Sequence, residues 1–149
     1  MERQPKPWGR TTPIIRDPLY HVDRIAVEPG GHCSIHRHLH KSNAFHVLSG
    51  ALLVVRFTQV GGVGPHTWMT AGNTYTLYPG WWHQFWTKIG AEALEVYLPA
   101  TENPVDVADI ERHPQFSEGG ILDYNMLTPR WHQVFKPLEI EVPALQLQL

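Results

Sequence analysis

The sequence predicts a single all-β domain, a sandwich or a barrel. Three observations carry this. The chain has 149 residues, enough for one compact domain with its own core and too few for two ordinary ones. Its apolar stretches are short and rich in Val, Ile, Leu, Tyr and Thr, and 12 Gly and 13 Pro punctuate them, which is the rhythm of strands separated by tight turns. No stretch sustains the 3.6-residue apolar period of a capped helix.

The elements follow in order. Tyr20 to Glu28 alternates, with Val22, Ile25 and Val27 apolar, and Pro29-Gly30-Gly31 turns the chain. Cys33 to His40 alternates small or apolar residues with histidine. Ala44 to Leu48 reads as a strand that Ser49-Gly50 ends, and Ala51 to Gln59 reads as its hairpin partner. After a loop at Gly61-Gly62-Val63-Gly64-Pro65 come His66 to Thr70, a turn at Ala71-Gly72-Asn73, and Thr74 to Tyr78. Pro79-Gly80 turns again, and Trp82 to Thr87 and Ala91 to Leu98 complete the series. Val105 to Arg112 is expected as a short helix, opened by Asn103-Pro104 and stopped by His113-Pro114. From about Asp123 onward Pro129, Pro137 and Pro143 precede an alternating Leu145-Gln146-Leu147-Gln148-Leu149. That alternation fits an edge strand, on the chain's own barrel or on a neighbouring subunit, and equally a frayed end.

Composition narrows the function. Charged residues make up 17%, below the ~25% of an average globular protein, while 42% are hydrophobic, so the chain is expected to be ordered. Twelve Lys+Arg against fourteen Asp+Glu give a formal net charge of -2. No basic excess exists to neutralise phosphates, which argues against general nucleic-acid binding. The single cysteine, Cys33, excludes an internal disulfide framework, fits a reducing compartment and reads as a small buried hydrophobe. Apolar runs such as Ala51 to Val55 are far too short to span a bilayer, and Met1-Glu2-Arg3-Gln4-Pro5 has no apolar leader core. A cytoplasmic protein that binds neither nucleic acid nor membrane is the expectation.

Ten His and six Trp are unusual for this length. Five of the histidines fall between positions 32 and 46. His36, His38 and His40 are spaced i, i+2, i+4, which on a strand puts them on one face. His83 follows the turn at Pro79-Gly80. Neutral imidazoles from two places in a chain suit zinc, iron, manganese, nickel or copper, and three of them leave coordination positions open to water or substrate. The candidate ligands are His36, His38 and His83. Asn43 is a weak amide-oxygen ligand or a hydrogen-bonding neighbour. His40 belongs to the pocket rim or the surface, and His46 has outward parity. Trp82 and Gln84 are candidate pocket residues, with the Trp81-Trp82 pair either lining the mouth or packing. Lys41, Glu92 and Glu95 are the candidate bases.

Two motifs sharpen this reading. Gly30, His36, His38, Asn43 and Gly50, then Gly72, Gly80 and His83, resemble the two motifs of the cupin superfamily, G-x5-H-x-H-x3,4-E-x6-G and G-x5-P-x-G-x2-H-x3-N. Asn43 stands where the family has Glu. Tyr78 stands at the family's Pro, with Pro79 beside it, and Thr87 replaces the final Asn. Lys6-Pro7-Trp8-Gly9, the run from Pro29 to Ser42, and Asp109-Ile110-Glu111-Arg112 are similar to the single-domain mannose-6-phosphate isomerase type cupins. Against that group the ligand Gln becomes His36, the ligand Glu becomes Asn43, and H-R-L after the turn becomes His83-Gln84-Phe85. The resemblance covers residues 5 to 115 and implies a cupin-type double-stranded β-helix, a jelly-roll barrel. The barrel is expected over 21–115, with an N-terminal arm over 1–20 and a C-terminal extension over 116–149. It further implies a homodimer, a divalent transition metal (Zn, Mn or Fe) and a small-molecule substrate such as a sugar. The implied activity is a metal-dependent sugar or sugar-phosphate isomerase or epimerase. The alternatives are a three-His non-haem iron oxygenase and a non-catalytic ligand-binding or structural cupin with a degenerate site.

Overall fold

The computed structural model describes residues 2–58 and 63–122. Twelve strands and no helix form among them: β1 Gln4–Lys6, β2 Gly9–Asp17, β3 Tyr20–Val27, β4 Gly31–His32, β5 His36–Arg37, β6 Lys41–Phe57, β7 Val63–Thr70, β8 Thr74–Leu77, β9 His83–Trp86, β10 Ala91–Pro99, β11 Glu111–Arg112 and β12 Gly120–Ile121. All pairings are antiparallel. One sheet runs β1-β2-β3-β10-β6-β8. The other runs β12-β4-β9-β6-β7, with β5 pairing both β9 and β11.

The strand β6 belongs to both sheets. Its first half pairs with β10 and β8, and its second half, from Ala51, pairs with β7 and β9. The expected hairpin at Ser49-Gly50 is therefore corrected: the chain turns a corner there and continues. Gly50 has φ +75°, and a Cβ on it would sit 2.1 Å from the Gly90 carbonyl oxygen. Only a residue without a side chain bends here. Past the corner, Ala51 to Val55 is buried on both faces, which is why that run does not alternate. Leu52 and Val54 join the barrel core with Trp8, Phe45, Val47 and Phe85. Leu53 and Val55 join Ile35, Phe57 and Trp86 on the opposite face.

Two further expectations are overturned. Val105 to Arg112 forms no helix; it is a turn followed by β11, because its backbone groups are taken by distant partners such as the Pro18 carbonyl, which accepts the Val105 N–H. Cys33 to His40 is not one strand either. Only His36–Arg37 is in a ladder, and His38 lies beyond its end. The alternating Leu145 to Leu149 lies outside the described residues.

The inward faces of β3, β6 and β10 change character along their length. Ile25, Val47 and Ala93 form an apolar row, while His21, Asp23, Lys41, Asn43 and Glu95 are buried polar residues beyond it. Register makes these neighbours: Asp23 lies opposite Glu95, and His21 opposite Tyr97, which lies opposite Asn43. The barrel thus has an apolar end that stabilises it and a polar end that is open to chemistry.

Candidate metal centre

Three imidazoles converge at the polar end. His36 and His83 are directly paired across β5 and β9, with ring centroids 4.5 Å apart, and His38 lies 5.1 and 5.5 Å from them. One ligand atom from each falls within 4.8 Å of the others. Each ring is turned by its Nδ1. That of His36 faces the Ser34 carbonyl at 2.9 Å, that of His38 the Asp109 carbonyl at 2.6 Å and that of His83 the Trp81 carbonyl at 2.8 Å. A carbonyl only accepts, so each Nδ1 carries the proton and each Nε2 keeps its lone pair. The Gly80 N–H donates to the His38 carbonyl at 2.7 Å and ties the two ligand-bearing segments together.

The Nε2 atoms of His38 and His83 are buried and have no hydrogen-bond partner. Leaving two such acceptors unsatisfied is costly. Protonation is no remedy: burial holds His38 down at about 4 and His83 at about 3, and His36 well below its ordinary value. Three neutral imidazole nitrogens, two of them with orphaned lone pairs, fit a divalent transition ion. Among the described residues no carboxylate joins this set.

A cavity of about 790 Å³ opens beside the rings and is lined by His36 and His38 together with Lys41, Glu95, Tyr97 and Asp23. Asn43 is buried, and its amide donates to the Glu95 carboxylate at 3.1 Å. Burial raises Glu95 to about 7, against the hydrogen bonds from Tyr97 and Asn43 and with the help of nearby Asp23. The Lys41 ammonium donates to the Asp106 carbonyl at 2.6 Å and sits 4.7 Å over the Tyr97 ring. Burial lowers its pKa, against the pull of Asp109 and Glu95.

The residues expected from the sequence therefore divide. His36, His38 and His83 meet, and Lys41, Glu95 and Asn43 stand close by. Trp82, Gln84 and His40 do not line this cavity. Trp82 lies under the Arg37 guanidinium, 4.6 Å away, and against His113. Gln84 has the opposite parity to His83 on β9 and donates to the Cys33 carbonyl at 2.6 Å. His40 is exposed, its backbone N–H bonded to Asp109. Glu92 points outward and pairs with Arg24, whereas His46 bonds Thr74 Oγ1 at 2.8 Å. Cys33 is buried and accepts the Phe85 N–H at 3.2 Å. Sequence reading missed Tyr97, His21, Asp23 and the Arg16 that pairs with Asp23 at 2.5 Å. The signal was present: His21-x-Asp23 and Glu95-x-Tyr97 carry polar residues at inward parity on otherwise apolar strands.

A two-sheet antiparallel barrel with three histidines from these two motifs defines a cupin. A family model described as the C-terminal domain of mannose-6-phosphate isomerase matches residues 2–79. The chain belongs to that family. Over 45 residues it is 38% identical to mannose-1-phosphate guanylyltransferases of Escherichia coli and Klebsiella pneumoniae. That stretch is 30% of this chain and 10% of each relative, so the chain spans about a tenth of the curated relatives it matches. Solved structures share the fold. Oxalate decarboxylase from Bacillus subtilis has a TM-score of 0.63 at 13% identity, over 95% of this chain and 34% of that one. Pac13, a nucleoside dehydratase from Streptomyces, has 0.62 at 18%, over 84% and 89%. A Klebsiella pneumoniae protein with a double-stranded β-helix domain has 0.56 at 18%, over 68% and 81%.

Proposed function

We propose that this protein is a metal-dependent isomerase or epimerase of a sugar or sugar phosphate, working in the cytoplasm as a homodimer. One observation carries the reading: three neutral imidazoles converge, the Nε2 atoms of His38 and His83 without a partner, and His36 and His38 line a cavity whose buried carboxyl, Glu95, is held near neutral pH. His36, His38 and His83 would hold the ion, and a divalent ion there supplies Lewis-acid polarisation of a substrate oxygen. The chain's own groups do the rest. Glu95, raised to about 7, is able both to take a proton from a carbon beside a carbonyl and to return it. Asn43 and Tyr97 orient its carboxyl. Lys41 presents a buried positive charge to an oxygen of the substrate. The match to the mannose-6-phosphate isomerase domain supports a sugar as substrate. Among the described residues no helix is long and apolar enough to cross a membrane. The barrel is taken as residues 21–115, between the arm over 1–20 and the extension over 116–149.

A second reading is favoured by one feature. The ligand set holds three histidines and no carboxylate, which suits a non-haem iron oxygenase. Elemental analysis of the untagged protein, purified without chelator, separates the readings. About one ion per chain is expected in wild type and in His46→Ala, and none in His38→Ala. Equal retention in both variants overturns the ligand assignment. Zinc or manganese with anaerobic aldose turnover supports the isomerase, and iron with oxygen uptake the oxygenase. A chain that takes up no metal is a ligand-binding cupin.

A further inference from the structure

His38 lies past the last residue of β5, so the sheet does not hold it. A residue far along the chain does. The Asp109 carboxylate accepts the backbone N–H of Leu39 at 2.9 Å through Oδ1 and that of His40 at 2.8 Å through Oδ2. The Asp109 carbonyl accepts the His38 Nδ1–H at 2.6 Å. One residue therefore grips both the main chain and the ring of this ligand. Its neighbours brace it: β11 pairs with β5, Arg112 opposite His36, Glu111 bonds Arg37 at 2.8 Å, and Ile110 and Arg112 line the cavity.

We propose that Asp109 is a positioning residue of the three-histidine centre, fixing the height and tilt of the His38 ring through its two-point hold on Leu39 and His40. The inference rests on the metal-centre reading for its consequence, and on geometry alone for the hold itself. A carboxylate accepting two amides makes charge-assisted bonds, stronger than neutral ones. Outer partners of this kind typically govern metal affinity by roughly 10–100-fold.

The test compares wild type, Asp109→Ala, Asp109→Asn and Glu102→Gln. Zinc affinity is measured by calorimetric competition, and the cobalt(II) visible spectrum is recorded. In the metal-free proteins, amide exchange at Leu39 and His40 and the His38 ring nitrogens are followed by NMR. Asp109→Ala should weaken zinc roughly 10–100-fold, shift the cobalt bands and speed exchange at Leu39 and His40 while Val47 in β6 stays protected. Asp109→Asn, which keeps an acceptor for one amide, should fall between. The exposed Glu102→Gln should bind as wild type does. Zinc affinity of Asp109→Ala within twofold of wild type, or unchanged exchange at Leu39 and His40, overturns the proposal. If Asp109→Ala does not fold, Asp109→Asn decides: a loss above about threefold supports the hold, and wild-type affinity overturns it. If wild type takes up no metal, the centre reading fails while the exchange and ring signals still decide whether Asp109 holds His38.

Discussion

The three ligand histidines are neutral because they are buried, and that sets how the metal-free protein responds to acid. Against an ordinary 6.5, His38 is held at about 4, His83 at about 3, and His36 also well down. Between these values an unfolded chain binds protons that the folded chain refuses, so stability is full above about pH 6.5 and falls as the pH drops toward 4. Glu95 works the other way. Raised from 4.5 to about 7, it keeps a proton the unfolded chain has lost, and its contribution falls as pH rises through that window. Three imidazoles outweigh one carboxyl, so acidification has a net destabilising effect, on the order of a few kcal/mol per pH unit at the steepest. The urea midpoint of the metal-free protein should drop sharply between pH 7 and pH 5, and a flat profile would refute this origin. The histidines were legible in the sequence through the paired motifs, His36 and His38 two apart and His83 after the Pro79-Gly80 turn, although the strand spacing behind them also admitted His40, which is exposed. Asp109 was legible only as part of a motif without a role, since its partners lie about seventy residues away. Gln84 misled because adjacency to His83 on β9 means the opposite face, and Trp82, just before β9, packs against Arg37 and His113 instead.

At the scale of elements, β6 decides the architecture. Its corner at Gly50 combines φ +75° with a neighbouring carbonyl 2.1 Å from any added Cβ. Gly72 has φ +88° but open space around it. Gly50→Ala should therefore destabilise the protein by at least about 2 kcal/mol, against about 1–2 kcal/mol for Gly72→Ala, where only the backbone is strained. Denaturant unfolding of the two variants measures this, and equal losses would show that the corner tolerates a side chain. The strands themselves were readable from alternation and turn residues. The corner was not, because Ser49-Gly50 followed by an apolar run is also what a hairpin looks like. Its true partners, β10 and β7, are chosen by the whole fold. The mistaken helix at Val105 to Arg112 has the same cause: good local caps lost to long-range bonds from Val105, Glu111 and Arg112.

Across the whole molecule, Phe85 joins the parts. It packs edge-on against Trp8, between β1 and β2, at 5.0 Å and against Phe45 of the facing sheet at 5.8 Å. Phe85→Ala should cost about 3–5 kcal/mol, lowering the thermal midpoint accordingly, and a variant within about 1 kcal/mol of wild type would mean the three parts are held independently. The bonds that shape the centre share this reach: His38 to Asp109 spans 71 residues and Arg37 to Glu111 spans 74. Such contacts form only after the entropy of closing long loops has been met, in a class of fold that matures over milliseconds to seconds. The three imidazoles come from segments that only these long-range contacts bring together, so uptake of an ion at that centre would mark the end of folding and serve as its clock.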